Sequence, residues 1–345
     1  MNAYKHILIL LIASVLCGLC SAQEAKLRVV VSTPDVASLA EEIGGDLVQV
    51  YCFTKGPEDP HIIEILPSHV RELQKADLYI QVGLGIENAW LKALMQRVKN
   101  PEFRSGGSQN LNLGRNVTLL EGEEGGAIAD SFHEEGNPHY LLDPVEGLKA
   151  SRAICHKFVE LRPDAESAFE KRHAAFCKNW AEAFFGNAIA TPSDLDALED
   201  FESSEALEAA IEEVINRAGD KVGGIVGMMR KHSGAKIVGD HDLWPYFARR
   251  YDLEILGYLE PSPGVPPTTK HLAKMIGLMK ENEVTVVLTA PYFPIRHAQL
   301  VSKRTGATVV PMTHQTAGRT GAETFLTMIE YNAVQISGAL KSASQ

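Results

Sequence analysis

The sequence predicts an α/β protein of two lobes, each a parallel β-sheet flanked by helices, joined by a long rigid connecting helix. Three observations carry this. Short β-branched runs alternate with longer helical patterns, the alternation that builds parallel sheets covered by helices on both faces. The scheme is laid down twice, before and after a mostly helical stretch over 145–187. A chain of 345 residues also exceeds what one hydrophobic core ordinarily organises.

In the first half, Leu27–Ser32 reads as a buried strand, Asp35–Ile43 as a helix ended by Gly44-Gly45, and Val48–Phe53 as the second strand. A helix opens at Pro67-Ser68, with Ser68 as N-cap and Val70, Leu73 and Ala76 on one face. Leu78–Val82 follows as a strand, Ala89–Val98 as a helix and Val117–Leu120 as the fourth strand. The helical stretch breaks at Arg162-Pro163, because proline ends one helix and can begin the next. Its second piece, Asp164–Phe185, runs the height of a lobe at about 1.5 Å per residue. In the second half, strands Ala235–Gly239, Leu253–Tyr258, Val284–Thr289 and Thr308–Val310 alternate with helices Trp244–Tyr251, Thr269–Glu281, Ile295–Thr305 and Gly321–Ala339. The expected division is a first lobe over 23–162, the connecting helix over 163–190 and a second lobe over 191–345. A helical insertion occupies 194–231, where Leu207, Ala210, Ile211 and Val214 recur at the spacing of a surface helix.

Met1–Ala22 reads as a secretory signal peptide: Lys5, an apolar run from Ile7 to Leu16, and small residues at Ser21-Ala22. Neither Cys17 nor Cys20 has the preceding leucine and small residues of a lipid-anchored start, so a soluble periplasmic monomer is expected. Cys52, Cys155 and Cys177 remain in the mature chain, allowing at most one disulfide, and the absence of a Cys-x-x-Cys pair argues against a thiolate zinc site. A net charge of −11 lacks the basic footprint that nucleic acid or an anionic membrane requires, and is compatible with a cation as cargo.

Three histidines sit in short rigid contexts: Glu58-Asp59-Pro60-His61, Asn137-Pro138-His139 and Gly239-Asp240-His241-Asp242. Any one alone is ordinarily a surface or core residue bonded to its neighbours. Their shared position argues otherwise, because each follows strands of one lobe or the other, and open parallel sheets bind ligands beyond the carboxyl ends of their strands. Imidazole is a common ligand of zinc, and the prolines before His61 and His139 restrict the backbone there. Asp59, Asp143, Asp240 and Asp242 are the nearby carboxylates that could hold the second ring nitrogens.

These residues match a family. Asp59-Pro60-His61 followed by Pro67-Ser68, Ala76-Asp77-Leu78 and Gly83-Leu84-Gly85-Ile86-Glu87 resembles the periplasmic metal receptors of ABC importers, the ZnuA/TroA type. Asn137-Pro138-His139 with Leu142-Asp143-Pro144 is similar to that family's second ligand segment, and His241-Asp242 with Tyr246-Phe247 to its third. Ser262-Pro263-Gly264 and Tyr331-Asn332 echo its second lobe, so the resemblance covers nearly the whole mature chain. It implies metal capture between the lobes, delivery to a membrane permease, and His61, His139 and His241 as ligands. Nitrogen donors favour Zn2+ over Mn2+ as cargo, with a manganese or iron receptor as the alternative. The family's usual acidic fourth ligand is absent from Pro311-Met312-Thr313-His314-Gln315, so either His314 completes the set or water does. Ala290-Pro291 and Pro266-Pro267 also replace acidic positions, which bears on permease recognition more than on metal binding.

Glu121–Glu135, with His133, stands where some zinc receptors carry a histidine-rich loop; it either gathers cations loosely or is simply a solvated acidic loop. His69, His156, His173, His232, His271 and His297 are read as solvent-facing or locally paired, and Trp90, Trp180 and Trp244 as packing residues. The competing class is a zinc hydrolase with an open fourth position, but no His-Glu-x-x-His helix, Gly-x-Ser-x-Gly elbow or phosphate loop is present. An exported adhesin with a structural metal is the third reading.

Overall fold

The computed structural model describes residues 25–120, 136–187, 189–261 and 265–343. The segments read above as a signal peptide and as an acidic loop over 121–135, and Ser262-Pro263-Gly264, lie outside the described residues.

Two parallel four-stranded sheets form the frame. The first contains β1 (Leu27–Val31), β2 (Val48–Cys52), β3 (Leu78–Gln81) and β4 (Asn110–Asn112), in the order β2-β1-β3-β4. The second repeats this arrangement with β5 (Lys236–Gly239), β6 (Glu254–Tyr258), β7 (Val286–Thr289) and β8 (Thr308–Pro311), in the order β6-β5-β7-β8. Every pairing is parallel. The central strands therefore need apolar residues on both faces, and Val29, Val30, Val31, Val286, Val287 and Leu288 are all buried.

Helices α1 (Pro34–Gly44), α2 (Pro67–Lys75) and α3 (Asn88–Arg97) cover the first sheet. Then come α4 (Pro144–Leu161) and α5 (Glu166–Phe185), separated by a tight turn at Pro163–Ala165. With 20 residues, α5 is about 30 Å long. It packs against α1 and α4 on one side and against α6 (Pro192–Glu199) and α8 (Gly224–Met229) on the other. Between these last two lies α7 (Ser204–Ala218), whose Leu207, Ile211 and Val214 are buried as their spacing predicted. The second sheet carries α9 (Pro245–Arg250), α10 (Thr269–Glu281), α11 (Arg296–Thr305) and α12 (Phe325–Ala343). One buried apolar cluster runs from Leu27 to Leu340 and joins both halves.

Two expectations are corrected. The fourth strand is Asn110–Asn112, not Val117–Leu120. β-Branched propensity pointed to the later segment, but the earlier one reaches the sheet edge, and its asparagines satisfy themselves locally. Asn110 Nδ2 donates to the Phe103 carbonyl, and Asn112 Oδ1 accepts from Gly114 N. The second correction concerns α2, whose N-cap is Leu66 rather than Ser68, because Pro67 already occupies the first helical position. Cys52, Cys155 and Cys177 are all free. Among the described residues no helix is long and apolar enough to cross a membrane.

Candidate metal centre

Each candidate ligand is held by its own loop. After β2, the chain turns through Glu58-Asp59-Pro60, and the indole N–H of Trp90 on α3 donates to the Pro60 carbonyl at 3.0 Å. The ring of His61 donates from Nδ1 to Asp59 Oδ1 at 2.8 Å, while the same oxygen accepts His61 N at 2.9 Å. Asp59 thereby fixes both backbone and ring. Burial raises the Asp59 pKa, but His61 outweighs it and holds the carboxyl below its ordinary value. His139 opens the short turn His139–Leu142, its N–H bonded to Asn137 Oδ1 at 3.0 Å, and Tyr140 anchors that turn by donating its hydroxyl to the Val82 carbonyl at 2.8 Å. His241 directly follows β5 and donates from Nδ1 to Glu260 Oε2.

The two halves meet here. Asn137 Nδ2 donates across to the Asp242 carbonyl at 3.0 Å. The ring centroids of His61 and His139 lie 5.1 Å apart, those of His139 and His241 6.4 Å apart. Two imidazoles sharing one tetrahedral zinc have centroids about 5 Å apart, because each centroid then lies about 3.2 Å from an ion bonded at about 2.0–2.1 Å. The first pair already has this spacing, and the second is wider by about 1 Å. Accordingly, among the described residues no three His, Cys, Asp or Glu side chains stand in closed coordinating geometry as they are.

His314 follows β8 and is buried. Its Nε2–H donates to the Glu58 carbonyl at 3.0 Å, so Nδ1 carries the lone pair, and that atom is buried without a hydrogen-bond partner among the described residues. Burial pushes its pKa down to about 4, partly offset by the Glu58 bond and Asp59, so the ring is neutral at ordinary pH. His314 and His139 line the same small cavity. Beside it, Gln315 Nε2 reaches the carbonyls of Lys55, Gly56 and Glu58 at 2.9–3.0 Å and clamps the His61 loop to the second half. The approach is close enough that a Cβ on Gly56 would sit 2.1 Å from the Ala317 carbonyl carbon.

Of the four carboxylates proposed to orient the rings, only Asp59 does so. Asp143 is fully buried, caps α4 through Val145 N and pairs with Arg249 and Arg250 of α9 across the halves. Asp240 spends its oxygens on His241 N, Ala290 N and the Trp244 indole, and burial raises its pKa to about 7. Asp242 offers its backbone carbonyl to Asn137. The residue that sequence reasoning missed is Glu260. Its signal was position alone: it follows β6 next to the strand that delivers His241.

The other histidines have local partners or ordinary surroundings. His69 Nδ1 accepts from Leu66 N, His173 faces Ser151 and Cys177, His232 meets Ser337 and His271 the Tyr258 carbonyl. Trp90, Trp180 and Trp244 are buried packing residues whose indoles each find an acceptor.

Comparison with known proteins agrees with this architecture. The family described as zinc-uptake complex component A, periplasmic, matches residues 29–183 and 197–339. A manganese ABC transporter substrate-binding lipoprotein of Streptococcus gordonii, scaA, is 28% identical over 188 residues, 51% of this chain and 57% of its own. The zinc-binding lipoprotein AdcA of Streptococcus pneumoniae is 24% identical over 309 residues, 86% of this chain and 53% of its own. The chain thus spans somewhat over half the length of these curated relatives. A crystal structure of ZnuA superposes with a TM-score of 0.67 at 24% identity, covering 91% of this chain and 99% of that one, which shows a shared fold. With about six-sevenths of its residues matched in two long blocks, the chain belongs to the zinc-uptake complex component A family.

Proposed function

We propose that this chain is an extracytoplasmic zinc receptor that captures Zn2+ between its two halves and delivers it to the permease of an ABC importer. The carrying observation is the convergence of His61 and His139 from the first half with His241 from the second. Carboxylates on Nδ1 of His61 and His241 select the tautomer whose Nε2 offers a lone pair, which is what a metal requires. His314, with its buried Nδ1 lone pair, supplies the fourth donor in this reading. Four nitrogens suit zinc, whereas manganese prefers carboxylate and water. The relatives are named for both metals, scaA as a manganese ABC transporter substrate-binding lipoprotein and AdcA as a zinc-binding lipoprotein.

Capture asks for a small adjustment rather than a wide hinge. His139 and His241 need to approach by about 1 Å to share a tetrahedral ion. Bonds across the halves, including Asp143 to Arg250 at 2.7 Å and Asp35 to Thr316 N at 2.6 Å, resist larger openings.

The test is metal analysis of purified protein, then competitive titration with zinc and manganese on wild type and His314→Ala. Zinc should bind more tightly, and the variant should lose at least about tenfold in zinc affinity. A clear preference for manganese would refute the zinc assignment, and unchanged affinity in the variant would remove His314 from the ligand set. Ester or CO2 hydration that disappears in His241→Ala would instead favour the hydrolase.

A further inference from the structure

The order of strands in the second sheet fixes which loops stand side by side. β5 delivers His241, β8 delivers His314, and β7 lies between them in the order β6-β5-β7-β8. The loop leaving β7 therefore emerges between the two candidate ligands of the second half. It reads Pro291-Tyr292-Phe293-Pro294, with a proline on each side of the aromatic pair to restrict its backbone. Phe293 stacks on His241, with ring centroids 4.9 Å apart and planes inclined by 29°. Tyr292 meets His314 edge to face, at 4.6 Å and 72°. The two aromatic rings also pack on each other, at 4.5 Å.

Each second-half imidazole is thus held twice. A hydrogen bond fixes one nitrogen, to the Glu260 carboxylate for His241 and to the Glu58 carbonyl for His314. That bond fixes a point only. A ring packed against the imidazole fixes its plane, and the plane decides where the lone pair of the other nitrogen aims. Binding a dication draws electrons from the imidazole, so the π face of Phe293 against His241 gains attraction in the loaded state. The gain grows with the strength of the metal–nitrogen bond, which is greater for Zn2+ than for Mn2+.

The pair also stands at a boundary. A cavity of about 550 Å³ is lined in part by Tyr292, Phe293, His61 and His241, and space of that size admits water. His314, packed against Tyr292, borders instead the small cavity that it shares with His139. Tyr292 therefore separates His314 from the larger space.

We propose that Tyr292 and Phe293 are positioning residues that set metal selectivity: they hold the planes of His314 and His241 for four-coordinate Zn2+ and keep water from building the larger, oxygen-rich shell that Mn2+ favours. This rests on the receptor reading above and on its four-histidine ligand set.

The experiment is zinc and manganese titration of the purified full chain, with Co2+ as a spectroscopic stand-in for zinc, on wild type, Tyr292→Leu/Phe293→Leu and Tyr292→Phe/Phe293→Tyr. Melting curves of the metal-free proteins check folding. Four-coordinate cobalt absorbs strongly in the visible and six-coordinate cobalt weakly, so the spectrum reports the shell itself. The double leucine variant keeps apolar bulk without rings. It should lose about tenfold in zinc affinity while manganese affinity moves by less than about twofold, and its cobalt absorption should fade at saturation. The exchanged pair keeps both rings and should match wild type. If the double leucine variant melts below the assay temperature, Phe293→Leu alone should show about a threefold loss for zinc with manganese again unmoved. Equal losses for both metals, or an unchanged ratio and spectrum, would overturn the proposal and leave the receptor reading standing. Leucine-like behaviour of the exchanged pair, or a wild-type preference for manganese, would overturn it as well. A wild-type chain that binds neither metal would end both.

Discussion

Glu260 gives the sharpest test of how the site is held. Its carboxylate accepts the Nδ1–H of His241, with both side chains at most 10% exposed. Glu260→Ala leaves that N–H buried without its acceptor, a cost of about 1–3 kcal/mol. The same loss frees the ring to adopt the other tautomer and to swing away from the ion. Together these predict a zinc affinity lower by about 10–100-fold, the range seen when groups orienting metal-bound histidines are removed. Glu260→Gln keeps an acceptor but loses the charge, so it should sit near the lower end. The assay is competition against a chromophoric zinc chelator at pH 7.5, with Asp240→Asn as a control in the same loop. Asp240 holds backbone N–H groups rather than the imidazole, so its effect should fall on stability. Affinity within twofold of wild type in Glu260→Ala, alongside a large loss in His241→Ala, would refute the reasoning.

Zinc loading should bring the His139 and His241 centroids from 6.4 Å to about 5 Å, visible in a zinc-bound crystal structure; an unchanged separation with metal present would contradict three shared imidazoles. Removing the guanidinium that pairs with fully buried Asp143, by Arg250→Met, should destabilise the protein by about 3 kcal/mol in urea unfolding, and a change below about 1 kcal/mol would count against that pair as a fastening between the halves. Burial, with help from His156 and Arg152, pushes the His173 pKa down to about 4 from 6.5. The unfolded chain then takes up the proton first, so this contribution is intact above about pH 6.5 and is lost as pH falls towards 4, amounting to about 3 kcal/mol at most. His173→Gln should remove that slope, and identical pH profiles for wild type and variant would show that the imidazole does not titrate this way.

The alternation of strands and helices was legible because parallel strands buried on both faces must be written as continuous apolar runs, as at Val29-Val30-Val31 and Val286-Val287-Leu288. The helix of 166–185 was equally plain, since proline punctuates its start. Asn110–Asn112 was not: an edge strand of three residues takes its conformation from the neighbour it joins, and two asparagines give no strand signal.

For the site, residue chemistry and topology sufficed to nominate His61, His139 and His241, because few side chains offer a metal-binding nitrogen and strand order places them on one edge, whereas His314 was nominated only through the family resemblance. Which carboxylate faces which ring depended on packing. Asp59 lies two residues from His61 and reaches it through a local turn, whereas Glu260 comes to His241 from an adjacent strand 19 residues on, and Asp143 turns to Arg250 107 residues away. Local sequence therefore determined the candidate ligand types and the frame that presents them. The folded halves decided the partners, the 6.4 Å gap and the cavity beside it, since distances between segments far apart in sequence are set by the packing of the elements that carry them.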